Sequence, residues 1–380
     1  MKNQSPITNH QSPITRKMKS YKVIGLMSGS SLDGVDLAYC EFRLNDEAID
    51  FDLLIAETIP FDEKWMGRLQ HLPTQNALTF AKTHVYFGHY LGELLNDFIE
   101  RCKIEPDFIA SHGHTIFHDP DRRFTTQIGE GGAMAAITKT TVISDFRTQD
   151  IAIDGEGTPI APAADRYLFS EYDLMMNIGG IANITCNAKG KYIAFDTSAA
   201  NQVLNVLASF KGLEYDKNGN LAAQGKVIPS ILEQLESMEY FKQSYPKSIA
   251  NSWVRDRILP IFIENEASIE DRLHTAVEHI ATETAVAIKG IFTKEKLPKK
   301  EYQLLVTGGG ALNGFLIKKI QEKLVPLRVK VEVPAPEIIE YKEAILMGLM
   351  GVLRMEERVN CFSSVTGARR NTIGGAVYLG

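Results

Sequence analysis

Apolar residues in this chain come in short runs that stop on glycine. "YKVIGLM" (21–27) runs into "SGSSLDG" (28–34), and "VDLAYCEF" (35–42) returns. Such runs, bounded by Gly and Ser, predict two strands joined by a tight turn. "DLMMNIGGIANITCNAKGKYIAFDTSAAN" (173–201) repeats the pattern. It predicts a strand, a turn at Gly179-Gly180, a second strand, a hairpin turn at "NAKGK", a third strand ending at Asp196, and a helix from near Asn201. "YQLLVTGGGALNGFLIKKIQEKL" (302–324) predicts strand, glycine turn and helix. Further strands are expected within 107–118, 140–150 and 329–336.

Between these runs the apolar spacing changes to three and four, the period of a helix. The stretch after residue 42 reads as mostly helical, and 77–102 is its clearest part, with Ile104–Pro106 as a stop. Residues 203–300 are also mostly helical, and 341–355 form a last helix. A strand–glycine turn–strand hairpin thus opens each half, and strands alternate with helices. That predicts α/β lobes with a central cleft, and 380 residues exceed the roughly 250–300 at which single cores usually split. The expected division is an extension without fixed structure (1–19, carrying "QSPIT" twice), a first domain (20–170 plus 356–380) and a second (171–355).

Composition narrows the function. The 41 basic and 47 acidic residues give a net charge of −6, without the basic stripe of a nucleic-acid binder. Cys40, Cys102, Cys186 and Cys361 lie far apart, which suggests neither a zinc site nor a disulfide framework. The start of the chain has no apolar core, and "AILMGLMGVL" (344–353) is too short for a membrane span. A cytoplasmic protein without membrane contact is expected.

The glycine turns carry the candidate chemistry. A Gly- and Ser-rich turn presents backbone N–H groups and hydroxyls to phosphate oxygens. Ser28, Ser30 and Ser31 add hydroxyls, and Asp33 could hold magnesium through water. The chain has no Walker A loop, and "GGGALNG" (308–314) fits the dinucleotide fingerprint poorly. Each turn alone reads equally well as a packing turn. Three of them at strand ends, where α/β folds bind ligands, point to a nucleotide. Asp196 is either a base at a strand end or the first residue of a turn. His112, His114 and His118 read as loop hydrogen-bonding groups rather than metal ligands. Asp145 and Asp150 flank Arg147 and are expected to orient it. Glu343 opens a helix, where the dipole alone favours a carboxylate.

Taken in order, these segments resemble a known family. Phosphate hairpin, Gly-Gly hairpin, strand-end Asp and late Gly-Gly-Gly turn are similar to the superfamily of sugar kinases, actin and heat-shock chaperone ATPases. "GLMSGSSLDGVD" (25–36) looks like the signature of anhydro-N-acetylmuramic acid kinases. "SHGHTIFH" (111–118), "SDFRTQDIA" (144–152), "MNIGGIANIT" (176–185), "VTGGGALN" (306–313) and "SVTGA" (364–368) follow in that family's order. The resemblance implies an actin-like ATPase fold of two lobes. It also implies ATP- and Mg2+-dependent phosphorylation of 1,6-anhydro-N-acetylmuramic acid with hydrolytic ring opening, in peptidoglycan recycling, by a cytoplasmic homodimer whose domains close over the substrates. Gly29, Ser30, Ser31, Leu32, Asp33, Gly34, Val35 and Asp36 would bind ATP phosphates and metal. Gly179 and Gly180 would join them, with Gly308, Gly309, Gly310 and Asn313 beside the nucleoside. Asp196 matches the base, while His112, Arg147 and Glu343 fall on the sugar side.

The sequence departs from the family around the base and the sugar. Asp-Thr-Gly-Pro-Gly-Asn becomes Asp196-Thr197-Ser198-Ala199-Ala200-Asn201, which would strain the turn if the glycines need positive φ. Gly-Gly-Gln-Gly-Ala-Pro becomes Asp154-Gly155-Glu156-Gly157-Thr158-Pro159, placing two acids near an acidic sugar. Lys-Ser-Thr-Gly-Arg-Glu becomes Lys247-Ser248-Ile249-Ala250-Asn251-Ser252 and loses a basic residue. A kinase for another amino or anhydro sugar, or a non-catalytic nucleotide- or sugar-binding homologue, are the competing readings.

Overall fold

The computed structural model describes residues 19–29, 32–45, 48–188 and 191–380. The expected extension (1–18), Ser30, Ser31 and the tip of the "NAKGK" turn lie outside the described residues. From the first half come β1 (Lys19–Ser28), β2 (Gly34–Asn45), β3 (Ala48–Pro60), helix α1 (Ala77–Cys102), β4 (Phe108–Asp119), β5 (Phe124–Ile128), β6 (Val142–Ser144) and α2 (Pro162–Tyr167). Next come β7 (Leu174–Ile178), β8 (Ile181–Ala188), β9 (Lys191–Ala199), α3 (Asn201–Ser209) and α4 (Ile269–Lys294). The chain ends with β10 (Tyr302–Thr307), α5 (Gly314–Leu324), β11 (Val329–Glu332), α6 (Lys342–Met355) and β12 (Ala376–Tyr378).

Two sheets result. The first has the order β12-β6-β4-β1-β2-β3, with β5 paired to β4, and the second has the order β11-β10-β7-β8-β9. In both, an antiparallel meander of three strands is followed by two strands parallel to its first member. The chain uses one five-strand plan twice, once per lobe. The parallel centre of each sheet, β1 with β4 and β7 with β10, therefore sends two carboxyl ends to the same edge.

Three expectations change. The stretch after residue 42 is not mainly helical at its start, because β3 pairs along the whole of β2. Asp50, Asp52 and Glu57 weaken its strand signal, and pairing with β2 overrides that weakness. The strand expected over 140–150 is only Val142–Ser144, and a helical turn follows at Thr148–Ile151. Finally, α6 packs on β1, β2 and β4 of the first sheet rather than with the second lobe, where a boundary at residue 355 would place it.

This last helix explains its own composition. Every residue from Ala344 to Leu353 is buried, as expected for a helix that is apolar all round. Its small residues face the first sheet. The Phe42 ring packs on Gly348, and Phe108 and Ala110 pack on Gly351. Its other neighbours include Met175 of β7 and Leu305 of β10, which turn to the opposite face from Leu174, Met176 and Leu304. A shared core thus runs under both lobes beneath the cleft. Among the described residues, no helix is long and apolar enough to cross a membrane.

Candidate active site

In the second lobe, two glycine turns lie side by side at the carboxyl ends of β7 and β10. Gly308 has φ +81°, and a Cβ there would lie 2.8 Å from both Asn177 Oδ1 and the Ile178 carbonyl oxygen. A side chain is therefore excluded by conformation and by space. Gly310 sits equally close against Ile178, and Gly309 faces Asn201. The Gly179-Gly180 turn is tied to α3: Asn201 N–H donates to Gly179 O at 3.1 Å, and Ala200 N–H to Gly180 O at 2.9 Å. Asn313 has a local job, since its Oδ1 caps α5 by accepting from Leu316 N–H at 3.0 Å.

Asp196 projects from β9, half-buried, opposite Asn183. A bulge at Thr197 follows it, with the Thr197 hydroxyl donating to Ala182 O at 3.1 Å. Bulges re-aim side chains near functional sites. Ile249 N–H donates to Asp196 Oδ2 at 2.8 Å, and the Tyr240 hydroxyl donates to the Asp196 carbonyl at 2.8 Å. Burial pushes the Asp196 carboxyl above its ordinary range, and the Ile249 bond opposes that shift.

The altered turn after Asp196 carries no positive φ: among the described residues, those values outside glycine fall elsewhere. Ala200, at φ −134°, leads directly into α3. The turn therefore does not require positive φ at the positions where the resemblance led us to expect glycine, and its small side chains fill space in the core. Ser198 and Ala200 are fully buried, and Ser198 Oγ is buried without a hydrogen-bond partner.

The first lobe carries the remaining hairpin of the expected site. Leu32 has φ +61°, and its N–H reaches Gly29 O at 3.4 Å. Gly34 begins β2 against Ile59 O, where a Cβ would come within 2.4 Å. The Val35 side chain is fully buried in the core, so only its backbone remains for a ligand. Asp33 is exposed, whereas Asp36 accepts from the Thr58 hydroxyl at 2.6 Å. Burial first, then the charge of Asp33, raise the Asp36 carboxyl.

Asp36 belongs with the group expected around the sugar. Glu343 opens α6 and reaches solvent, but its surroundings and the nearby Asp36 charge push its carboxyl up while Lys342 and Arg147 pull it down. Burial lowers Arg147, and Glu343 opposes that shift. Burial and the Arg147 charge take His112 down to about 3, so the ring is neutral at pH 7. His112 Nε2 and Arg147 Nε are both buried without a partner. The structure thus gathers His112, Arg147, Glu343 and Asp36, and leaves two unsatisfied polar atoms among them. His114 stands apart, bonded through Nδ1 to Ser28 Oγ at 2.9 Å.

Asp145 and Asp150 do not orient Arg147. Asp145 accepts from Thr148 N–H at 3.3 Å. Asp150 is fully buried and binds Gly157 N–H at 2.9 Å and the Thr366 hydroxyl at 2.8 Å, joining loop 154–157 to the "SVTGA" segment. The extra acid Asp154 meets Arg123 at 2.5 Å and also Arg369, so its charge is matched at the surface; Glu156 is exposed.

Several residues here had no sequence signal. Lys342 Nζ, on the first lobe's α6, donates to Thr307 Oγ1 at 3.0 Å, just before the Gly308 turn of the second lobe. Burial pushes nearby Asp165 up to about 6, and Lys342 opposes that rise. Tyr240, Lys247 and Glu283 converge behind Asp196 from segments 44–87 residues away in sequence.

A duplicated five-strand plan, paired glycine turns at strand ends and a carboxylate at a bulge of the same sheet define a two-lobed sugar kinase of the actin-like ATPase class. Residues 21–380 match the profile described as anhydro-N-acetylmuramic acid kinase, and the chain belongs to that family. It is 33% identical to the anhydro-N-acetylmuramic acid kinase of Francisella tularensis subsp. novicida, over 95% of this chain and 99% of that protein. It is 31% identical to the protein of that name from Sulfurovum sp., over 95% and 100% of the two chains. Among solved structures, the activator of 2-hydroxyisocaproyl-CoA dehydratase from Clostridium difficile, with bound ADPNP, aligns over 88% of this chain and 97% of its own, at TM-score 0.39 and 13% identity.

Proposed function

We propose that this chain phosphorylates 1,6-anhydro-N-acetylmuramic acid with ATP, and that water opens the anhydro ring in the same event. The product is N-acetylmuramic acid 6-phosphate, a step of peptidoglycan recycling. The observation that carries this reading is the carboxylate of Asp196, beside the bulge in β9 (which runs on to Ala199 rather than ending at Asp196) and held at 2.8 Å by Ile249 N–H, in a chain that matches the kinase family from 21 to 380.

The chemistry suits the residues present. Asp196 takes a proton from the water that attacks the anomeric carbon, and its raised carboxyl is the stronger base for it. The bond from that carbon to the anhydro oxygen breaks. The released oxygen attacks the γ-phosphorus of ATP, and ADP leaves. Backbone N–H groups of the Gly179-Gly180 and Gly308–Gly310 turns, and of the Gly29–Asp36 hairpin, face the phosphates. Arg147 meets the lactyl carboxylate, with His112 and Glu343 beside the sugar. Asp33, exposed at the start of the hairpin, suits a Mg2+ ion held mainly by phosphates and water. When bound, that ion would neutralise charge on the transferring phosphoryl group. Family resemblance also supports a cytoplasmic homodimer whose lobes close to exclude bulk water.

The test is ADP release coupled to the anhydro sugar, with the product identified as the ring-opened 6-phosphate by mass spectrometry. Asp196→Asn is expected to cut turnover to a small residual rate while ATP still binds. Folded protein without ADP release would overturn the reading. A clear preference within a sugar panel would move the substrate, and ATP binding with no turnover on any sugar would leave a non-catalytic homologue.

A further inference from the structure

Among the described residues, β9 is the last strand of its sheet and its outer edge has no partner strand. Unpaired edges are normally covered. Here the cover is a short segment, 240–249, that docks on Asp196 itself. Asp196 N–H donates to Lys247 O at 3.3 Å, and Ile249 N–H returns a bond to Asp196 Oδ2 at 2.8 Å. The Tyr240 hydroxyl holds the Asp196 carbonyl at 2.8 Å. Backbone and side chain of one residue are therefore fixed by three separate donors and acceptors of this segment.

The segment is in turn locked. Lys247 Nζ donates to Tyr240 O at 3.1 Å and lies 4.5 Å from the centre of the Tyr240 ring. That ring packs against Trp253, with centroids 5.2 Å apart, and against Phe241 at 5.4 Å. The Tyr245 ring stacks on Phe195, next to Asp196, at 5.0 Å and 17°. Glu283, on α4 and only 5% exposed, lies close enough for its charge, when ionised, to act on Lys247. A hydrogen-bond donor, a half-buried cation and an aromatic clamp all converge on one carboxylate-bearing residue. Packing a sheet edge alone needs neither the cation nor the hydroxyl.

We propose that Tyr240 and Lys247 are positioning residues for Asp196: Lys247 fixes Tyr240 and segment 245–249, and these hold the carboxylate at the angle from which it takes the proton of water. Neither side chain touches substrate in this scheme. The inference rests on the reading of Asp196 as base.

The experiment compares Tyr240→Phe, Lys247→Met and Lys247→Arg, each alone and combined with Asp196→Asn, in the full chain. Tyr240→Phe keeps the ring and its packing, so it retains the fold, and thermal unfolding checks this for every variant. Tyr240→Phe and Lys247→Met are expected to lower kcat about 10- to 100-fold, the scale of a misplacement near 1 Å, with KM for ATP and sugar little changed. Lys247→Arg keeps the charge and restores most of the rate. In the Asp196→Asn background neither change lowers the residual rate further, because there is no carboxylate left to position. Wild-type kcat in Tyr240→Phe and Lys247→Met, or an equal loss with and without Asp196, would overturn the proposal and leave the base reading intact. Wild-type kcat in Asp196→Asn would instead remove the base reading, and this one with it.

Discussion

Replacing Gly25 with alanine is expected to damage stability and catalysis together. Gly25 lies in the middle of β1, where α6 crosses it, and a Cβ there would fall 1.8 Å from Ala344 O and 2.8 Å from Gly348 N. Ordinary contact begins near 3.4 Å, so the helix must retreat by 3.4 − 1.8, or 1.6 Å, at this point. Both atoms at the closest clash belong to rigid elements, and no side chain can rotate aside. Overpacking of this kind typically costs about 1–3 kcal/mol, and a clash with backbone belongs at the upper end. Glu343 immediately precedes Ala344 and moves with the helix. A shift of this size at a positioned group is expected to lower kcat/KM by about 100-fold. Urea unfolding gives the first quantity and coupled ADP release the second. Gly67→Ala is the control: nothing lies within 4 Å of its Cβ, and it sits in the helix Glu63–His71. There alanine is expected to be neutral or to stabilise by about 0.5–1 kcal/mol. If Gly25→Ala matched wild type in both assays, the close approach of α6 to β1 would be wrong, and with it the placement of Glu343.

Two further outcomes concern buried polar groups. Ser198→Ala removes a buried hydroxyl that has no partner, and it is expected to raise stability by about 1–3 kcal/mol in urea unfolding; a loss would mean that the hydroxyl is bonded. Burial pushes Glu283 up to about 7 from an ordinary 4.5, so the folded state binds a proton that the unfolded chain has lost between those values. Its contribution to stability is complete below about pH 4.5 and is lost as pH rises through 7. Glu283→Gln cannot titrate, so its stability relative to wild type should climb between pH 5 and 7.5; parallel unfolding profiles would refute the assignment.

The sequence predicted the elements whose signals are local. The hairpin β1–β2 and helix α1 follow from apolar period and glycine stops, although Lys103, at φ +53°, ends the helix just before the expected stop. β3 was hidden because its alternation carries acids, and only pairing with β2 makes it a strand. Membership of α6 in the first lobe could not be read, because the same apolar helix would suit either sheet. Within the site, the glycine turns were legible as types at strand ends, and Asp196 as a carboxylate on a strand, although β9 runs on past it to Ala199. The support behind Asp196 was legible only as a segment, 247–252, that resembles a family motif; that Tyr240, Lys247 and Ile249 bond to Asp196 follows only from the folded chain. The opposite error occurred at Asp150, whose proximity to Arg147 in sequence suggested a pairing that the fold spends on Gly157 and Thr366 instead.

The return of α6 and β12 to the first sheet has a consequence for synthesis. The second lobe's sheet is contiguous, from β7 to β11, whereas the first is interrupted by it. On a ribosome the first lobe emerges early but cannot close until the final helix has been made. The sheet that emerges later is thus the first whose strands can all pair. A chain stopped after β11 would carry a complete second sheet beside a first sheet whose Phe42 and Phe108 have lost the helix that covers them. Such a product is a ready target for proteolysis and self-association, so truncation near the C-terminus injures the N-terminal lobe first.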